Sequence, residues 1–147
     1  MKTSELRIGN CIKYGNNPCI VKGINTDNFI SCVWNNKDSI IWGEPVMDFE
    51  PFPLSEECLL EFGYEDWGVV ISNEHESYKR FVLHNFVDGT SNHEVHIITS
   101  TYGNTHHVEY VTSIDEDERQ YSGRMEFVHD LQNAVYKETN IELVHND

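Results

Sequence analysis

The stretch from Ser122 to Leu143 constrains the fold of this chain more than any other segment. Apolar side chains recur in it at steps of three and four residues, and this spacing gives a helix one wide apolar stripe. The stripe consists of Met125, Phe127, Val128, Leu131, Ala134 and Val135. We predict a helix over 124–138 with Ser122 as its cap. Asn140 provides its end, because Asn tolerates the left-handed conformation of a C-cap.

The first fifty residues alternate between short apolar runs and polar turns, a pattern typical of β-strands. The turn signals lie at 15–18, 25–28 and 35–38. Strands of this length and spacing predict a small β-rich lobe over 1–50, either a meander or an SH3-like barrel. Three of the four prolines lie between residues 44 and 53. Proline fixes its backbone and keeps its predecessor extended, so this segment is predicted to connect two lobes.

The second lobe is predicted over 51–147. Ser55 is a strong N-cap and Gly63 a left-handed stop, so a short helix is expected over 56–62. Four strands are then expected at Gly68–Ser72, Tyr78–Phe86, Val95–Ser100 and His106–Ile114. Short separators predict an antiparallel meander, and the C-terminal helix is expected to cover one face of it. The predicted fold class is therefore α+β.

The chain of 147 residues has a formal net charge of −15, and the acidic residues concentrate in its second part. Residues 1–50 have a net charge of −1 and residues 51–147 have −14. An acidic surface repels phosphate, which argues against direct binding of nucleic acid. No apolar run approaches the length of a membrane span, and the N-terminal sequence lacks the apolar region of a signal peptide. We expect a cytosolic protein.

The histidines are the main candidates for chemistry. His107 and Glu109 lie two apart on a predicted strand and therefore share one face, as two metal ligands would need to do. The spacing of His107 and Glu109 does not match that of a chelating helical pair. No phosphate loop, dinucleotide turn or nucleophile motif is present. The sequence therefore predicts no cofactor and no assigned catalytic residue. A metal-dependent hydrolase or nuclease that uses His107 and Glu109 is kept as the alternative function.

Two sets of polar residues are candidates for binding a partner. His129, Gln132 and Asn133 lie beside the apolar stripe of the C-terminal helix, at a spacing that brings their side chains together. Such a cluster either fixes the helix against the rest of the protein or forms part of an interface. The second set is an acidic run that we expect to be a solvated loop. It consists of Asp115, Glu116, Asp117 and Glu118.

Three separated segments carry a resemblance to a known group of proteins. They are LRIGN at 6–10, EPFPLSEECLLEFGY at 50–64 and FVHDLQNAVYKETNIEL at 127–143. Together they resemble short uncharacterised proteins of gut Bacteroidetes and of their phages and mobile elements. Cys58 stands where that group commonly has an aromatic residue, and Asn140 stands where it usually has Gly. The resemblance implies an accessory protein of a phage or mobile element and brings no known activity.

These observations favour a non-enzymatic, acidic protein-binding module. Its expected partner is a protein with a basic surface. One possibility is that the module inhibits a host protein, for instance by imitating nucleic acid. No direct contact with nucleic acid or membrane is expected.

Overall fold

The computed structural model describes residues 1–34, 40–84, 92–100, 105–113 and 119–144. The chain divides into two compact units. Unit 1 combines Met1–Leu54 with the C-terminal segment that begins at Phe127, and unit 2 is Ser55–Glu126. The first division lies close to the predicted one at residue 50. The C-terminal helix, however, groups with the N-terminal residues and not with a domain over 51–147.

Unit 1 contains a five-stranded antiparallel sheet with the order β4-β3-β2-β1-β5. The strands are β1 (Cys11–Tyr14), β2 (Asn17–Ile24), β3 (Phe29–Trp34), β4 (Ile40–Pro45) and β5 (Phe49–Pro51). Short 3₁₀ turns occur at Thr3–Glu5 and Val46–Asp48. The segment predicted to be a plain connector therefore contains the last of these strands, and β5 returns to pair with β1.

One face of this sheet forms the core of unit 1. Directly opposite residues in an antiparallel pair share a face, and the register places Ile12 opposite Cys19 and Val21 opposite Cys32. The buried core cluster consists of Leu6, Ile12, Cys19, Val21, Ile30, Cys32 and Phe49. The core residues of β2 and β3 alternate along each of these two strands, so their burial follows from the two-residue period of a strand.

The C-terminal helix α2 spans Val128–Thr139. It ends as predicted at Asn140, which has a left-handed φ of 58°. Its predicted start is wrong, because Phe127 is the N-cap and the side chain of Asp130 accepts a hydrogen bond from the Phe127 N–H at 3.2 Å. Residues 124 and 125 belong to a strand instead, and the preceding Gly123 has a φ of 100° that a helix cannot include.

Unit 2 opens with α1 (Glu56–Glu61), which has the predicted N-cap: the Cys58 N–H donates to the Ser55 hydroxyl at 3.3 Å. Five antiparallel strands follow in the order β10-β9-β8-β7-β6, one strand more than the sequence predicted. The strands are β6 (Glu65–Asn73), β7 (Glu76–His84), β8 (Asn92–Ser100), β9 (Thr105–Ser113) and β10 (Arg119–Met125). The extra strand is β10, which pairs with β9.

The two antiparallel sheets and the helix α2 confirm the broad α+β class. The predicted cover of the second sheet by the C-terminal helix remains a prediction. Among the described residues, no helix is both long enough and apolar enough to cross a membrane.

Candidate protein-interaction surface

Gln132, a predicted partner-binding residue, is 2% exposed, and its amide bonds inside unit 1. Its Oε1 accepts from the backbone N–H of Cys11 at 2.8 Å. Its Nε2 donates to the backbone carbonyls of Gly9 at 3.2 Å and Leu143 at 3.0 Å. A buried amide with a partner for each group stabilises the fold, because its polar atoms are not left without hydrogen bonds. Gln132 thus joins α2, the residues before β1 and the C-terminal segment.

Asn133 extends this network to the N-terminal residues. Its Oδ1 accepts from the Arg7 Nε at 2.8 Å and from the Asn10 Nδ2 at 3.0 Å, and its Nδ2 donates to the Glu5 carbonyl at 2.8 Å. The guanidinium of Arg7 also lies 4.0 Å from the ring centre of Tyr136. The predicted polar cluster therefore exists for Gln132 and Asn133, and its contacts are within unit 1.

His129 is separate from these amides. Its ring is 3% exposed and stacks on Phe127 with a centroid distance of 5.7 Å. Its Nε2 is 3.5 Å from a carboxylate oxygen of Asp130, and its Nδ1 has no hydrogen-bond partner among the described residues. Burial lowers the pKa of His129, and the nearby carboxylates of Asp130 and Glu5 oppose this effect. The net shift favours the neutral imidazole relative to a histidine in water.

The two candidate metal ligands lie on β9, where Glu109 is half-buried and pairs with His96 on one side and Arg124 on the other. The side chain of His107 lies outside the described residues. Within the described ranges, no three or more His, Cys, Asp or Glu side chains form a group that could hold a metal ion. The hydrolase alternative remains a prediction from the sequence.

The acidic run from Asp115 to Glu118 lies outside the described residues. Its assignment as a partner-binding loop therefore remains a prediction from the sequence.

The second sheet contains a buried ionic cluster that the sequence did not predict. Glu94 is fully buried on β8, and Arg80 donates to both of its carboxylate oxygens, with an Nε to Oε2 distance of 2.9 Å. His96 is hydrogen-bonded to the same Oε2 at 2.8 Å and stacks on Tyr78. The Arg80 guanidinium also lies 4.9 Å from the ring centre of Trp67. Arg80 and His96 engage both Glu94 oxygens, so the cluster holds this carboxylate in place and links β7 to β8.

The small cleft of unit 1 does not identify a ligand site. It has a volume of about 140 Å³ and a mostly apolar lining that includes Cys11, Ile20, Leu143 and Val144. Pockets for small molecules usually measure roughly 300–1,000 Å³. All four cysteines are buried, and none of them forms a disulfide bond. The pKa of Cys19 is raised by its contact with the Cys32 thiol and by burial, so Cys19 is an unreactive core residue.

Among the described residues of unit 2, the exposed large apolar side chains concentrate on β6. Within the described residues β6 pairs only with β7, so it forms one edge of the sheet. The exposed fractions are 48% for Trp67, 65% for Val69, 37% for Val70 and 78% for Ile71. Four large apolar side chains exposed within five residues are unusual, because edge strands generally carry charged residues at such positions.

The residues around this edge are strongly acidic. Residues 61–76 contain five carboxylates and no Lys or Arg. They are Glu61, Glu65, Asp66, Glu74 and Glu76. Lys79 on β7 binds the Glu56 carboxylate and lies 3.1 Å from that of Asp66. A hydrogen bond from the Gly68 N–H and one from Lys79 lower the pKa of Asp66, which favours its charged form. We call Glu61–Glu76 the acidic edge.

The acidic edge combines exposed apolar side chains with carboxylates, and the sequence predicted only part of this arrangement. The strand itself was predicted, but a run such as Val69-Val70-Ile71 is equally typical of a buried central strand. The available signal was the charge on both sides of the run.

No protein-family model, curated protein or solved structure that was compared with this chain matches it.

Proposed function

We propose that this protein is a non-enzymatic protein-binding module that captures a partner with a basic surface through unit 2. The observation that carries this proposal is the acidic edge, where exposed apolar side chains lie among five carboxylates. Protein interfaces commonly combine an apolar centre with a polar rim. The apolar residues supply contact area, and the carboxylates select and attract positive charge.

The charge of unit 2 as a whole supports the same proposal. Residues 55–126 contain fifteen Asp or Glu and four Lys or Arg, a net of −11. Lys79 and Arg80, two of the four cations, already bind carboxylates within the unit. A field of this sign steers a basic protein toward the surface and repels nucleic acid. A protein that normally holds nucleic acid would offer the complementary surface, so inhibition by imitation of nucleic acid is one form of the proposal.

The resemblance of three segments to proteins of Bacteroidetes phages and mobile elements gives the proposal a setting. An accessory protein of a mobile element would act in the cytosol on a host protein.

The proposal also includes an SH3-like barrel for unit 1. The strand order β4-β3-β2-β1-β5 and the 3₁₀ turn at Val46–Asp48 just before β5 support that architecture.

The test is affinity capture from host lysate with three versions of the protein as bait. Ile71→Lys puts a positive charge on the acidic edge. Met47→Lys makes the same kind of change at an 84% exposed methionine of unit 1 and serves as the matched control. We expect wild type and Met47→Lys to capture the same protein at low salt, and Ile71→Lys to lose it. Capture should weaken as ionic strength rises, because salt screens the carboxylates.

Equal capture by Ile71→Lys and wild type would contradict the proposal, as would capture that does not respond to salt. Melting curves of the three baits are needed beside the capture experiment. They separate a lost interface from a lost fold.

A further inference from the structure

We propose that β6 binds its partner by strand addition, in which an extended lysine- or arginine-rich segment of the partner pairs with the main chain of β6. This inference rests on the proposed function and specifies its mode of binding. Strand addition uses backbone hydrogen bonds for affinity and alternate side chains for specificity. Three features of β6 support it: its position in the sheet, the distribution of its side chains and its charge.

The first feature is the position of β6. Within the described residues it pairs with β7 along one side, through registers that include Val69 opposite Lys79 and Ile71 opposite Ser77. Successive backbone N–H groups of a strand point to opposite sides, so β7 can engage only about half of them. The other half point away from the sheet. Such a row of donors and acceptors is a template for another strand.

The second feature is that β6 exposes apolar side chains on both faces. Val70 lies opposite Tyr78, and Trp67 packs on Arg80. Tyr78 and Arg80 lie two apart on β7 and so share a face of the sheet. Val70 and Trp67 therefore lie on that same face. Val69 and Ile71 lie on the other face with Lys79 and Ser77. An added strand would therefore find an apolar neighbour above and below its backbone. Cross-strand pairs of this kind are what stabilise a sheet.

Gly68 separates the two ends of β6 and defines where a partner would pair. The register shifts between Asp66 and Val69, and Gly68 has a φ of 82°, a left-handed conformation that glycine adopts readily. The Asp66 carboxylate accepts from the Gly68 N–H at 2.8 Å and holds this bulge. The continuous run available to a partner is therefore Val69–Ile71, with Trp67 beyond the bulge.

The third feature is charge, which selects a basic segment and disfavours the pairing of β6 with β6 of a second copy. Pairing two β6 strands would bring two sets of five carboxylates together. The other edge strand, β10 (Arg119–Met125), contains Arg119 and Arg124 and no carboxylate, so its charge does not exclude pairing with β6 of another copy. Like charges disfavour a β6–β6 pair, and the same carboxylates favour a basic partner strand. The dependence of β6 protection on protein concentration distinguishes β10 of a second copy from a separate partner.

The test uses a blocked nine-residue peptide in which lysine alternates with valine. Its matched control is the same peptide with every amide N-methylated, which keeps the charges and side chains but removes the donors. Binding is measured by isothermal titration calorimetry, and protection of β6 is measured by hydrogen exchange. We expect the first peptide to bind and to slow exchange of β6 amides. The control should bind about tenfold more weakly or worse, the equivalent of about 1.4 kcal/mol.

Equal binding of the two peptides would overturn strand addition, and so would binding of the first peptide without protection of β6. Absence of binding to either peptide would also overturn it. Protection of β6 that grows with protein concentration alone would identify a second copy as the occupant and reject the inference. None of these results affects the capture experiment, in which Ile71→Lys tests the proposed function directly. The two proposals can therefore fail separately.

Discussion

Gln132 in α2 and Ile71 in β6 reverse the usual distribution of side chains in opposite ways. Gln132 is polar and 2% exposed, whereas Ile71 is apolar and 78% exposed. Buried polar groups and exposed apolar patches are the two observations that carry most information about a surface. The amide of Gln132 has a hydrogen-bond partner for each of its groups within unit 1. The fold therefore explains the burial of Gln132, whereas the proposed partner would account for the exposure of Ile71.

This contrast gives a criterion for separating a structural residue from a functional one. A side chain whose requirements are met inside its own unit should affect stability when it is changed. A side chain that contributes little to its own unit should affect binding and leave stability unchanged. Four predictions test this division, from the largest expected effect on stability to the smallest.

The largest effect is expected from Leu131→Ala. Leu131 is fully buried in α2, so its truncation removes apolar contacts and leaves a cavity. The free energy of unfolding should fall by about 2–5 kcal/mol. Chemical denaturation followed by circular dichroism measures it. Leu60→Ala is the matched control, because Leu60 is 52% exposed in α1 and should cost less. Identical unfolding of Leu131→Ala and wild type would mean that α2 is not packed as described.

Gln132→Ala comes next. The change leaves the Cys11 N–H and the carbonyls of Gly9 and Leu143 without their partner, and this should lower the free energy of unfolding by about 1–3 kcal/mol. Lys137→Ala, at an exposed position of the same helix, should stay within about 0.5 kcal/mol of wild type. Should Gln132→Ala keep full stability but lose capture of the partner, the amide would belong to the interface, as Ile71 is proposed to do.

The third prediction concerns pH. Burial holds the pKa of His129 below its ordinary 6.5, so the unfolded chain binds a proton more readily than the folded protein. The stability that comes from neutral His129 is complete above pH 6.5 and decreases as the pH falls below that value. One such group contributes a slope of at most about 1.4 kcal/mol per pH unit. His129→Gln should therefore lose less stability than wild type between pH 7.5 and 5.5. Parallel pH profiles of the two proteins would show that His129 does not titrate in this way.

The smallest effect on stability is expected from Ile71→Lys. Because Ile71 is mostly exposed, the free energy of unfolding should change by no more than about 0.5 kcal/mol. Capture of the partner should nevertheless be lost. A large loss of stability would show that Ile71 packs within its own unit, and the acidic edge would then need no partner to explain it.

Local signals in the sequence predicted the parts of the fold that depend on one or two turns of chain. The cap at Ser55, the left-handed Gly63 and the C-cap at Asn140 were all visible, because each depends on the conformational preference of one residue. The start of α2 was not visible in the sequence. Met125 and Phe127 continue the apolar period of the helix, although Met125 belongs to β10.

Contacts between distant residues were beyond the reach of the sequence. The hydrogen bond from the Cys11 N–H to Gln132 joins residues 121 positions apart, and nothing local in either segment indicates it. The burial of Glu94 is a similar case, since it depends on Arg80 in the neighbouring strand. The exposure of β6 was also hidden, because an edge strand is defined by the order of the sheet and not by its own residues.

Unit 1 has a consequence for the order in which the protein can fold during synthesis. Pro53 pairs with Phe127, and the Val128 N–H donates to the Phe52 carbonyl at 2.8 Å, so the chain departs from unit 1 and returns to it at adjacent points. A ribosome releases Met1–Leu54 long before α2. Until α2 emerges, the Cys11 N–H and the Gly9 carbonyl must rely on water. Unit 1 therefore cannot complete its hydrogen bonds until all of unit 2 has been translated, although vectorial synthesis generally favours N-terminal domains.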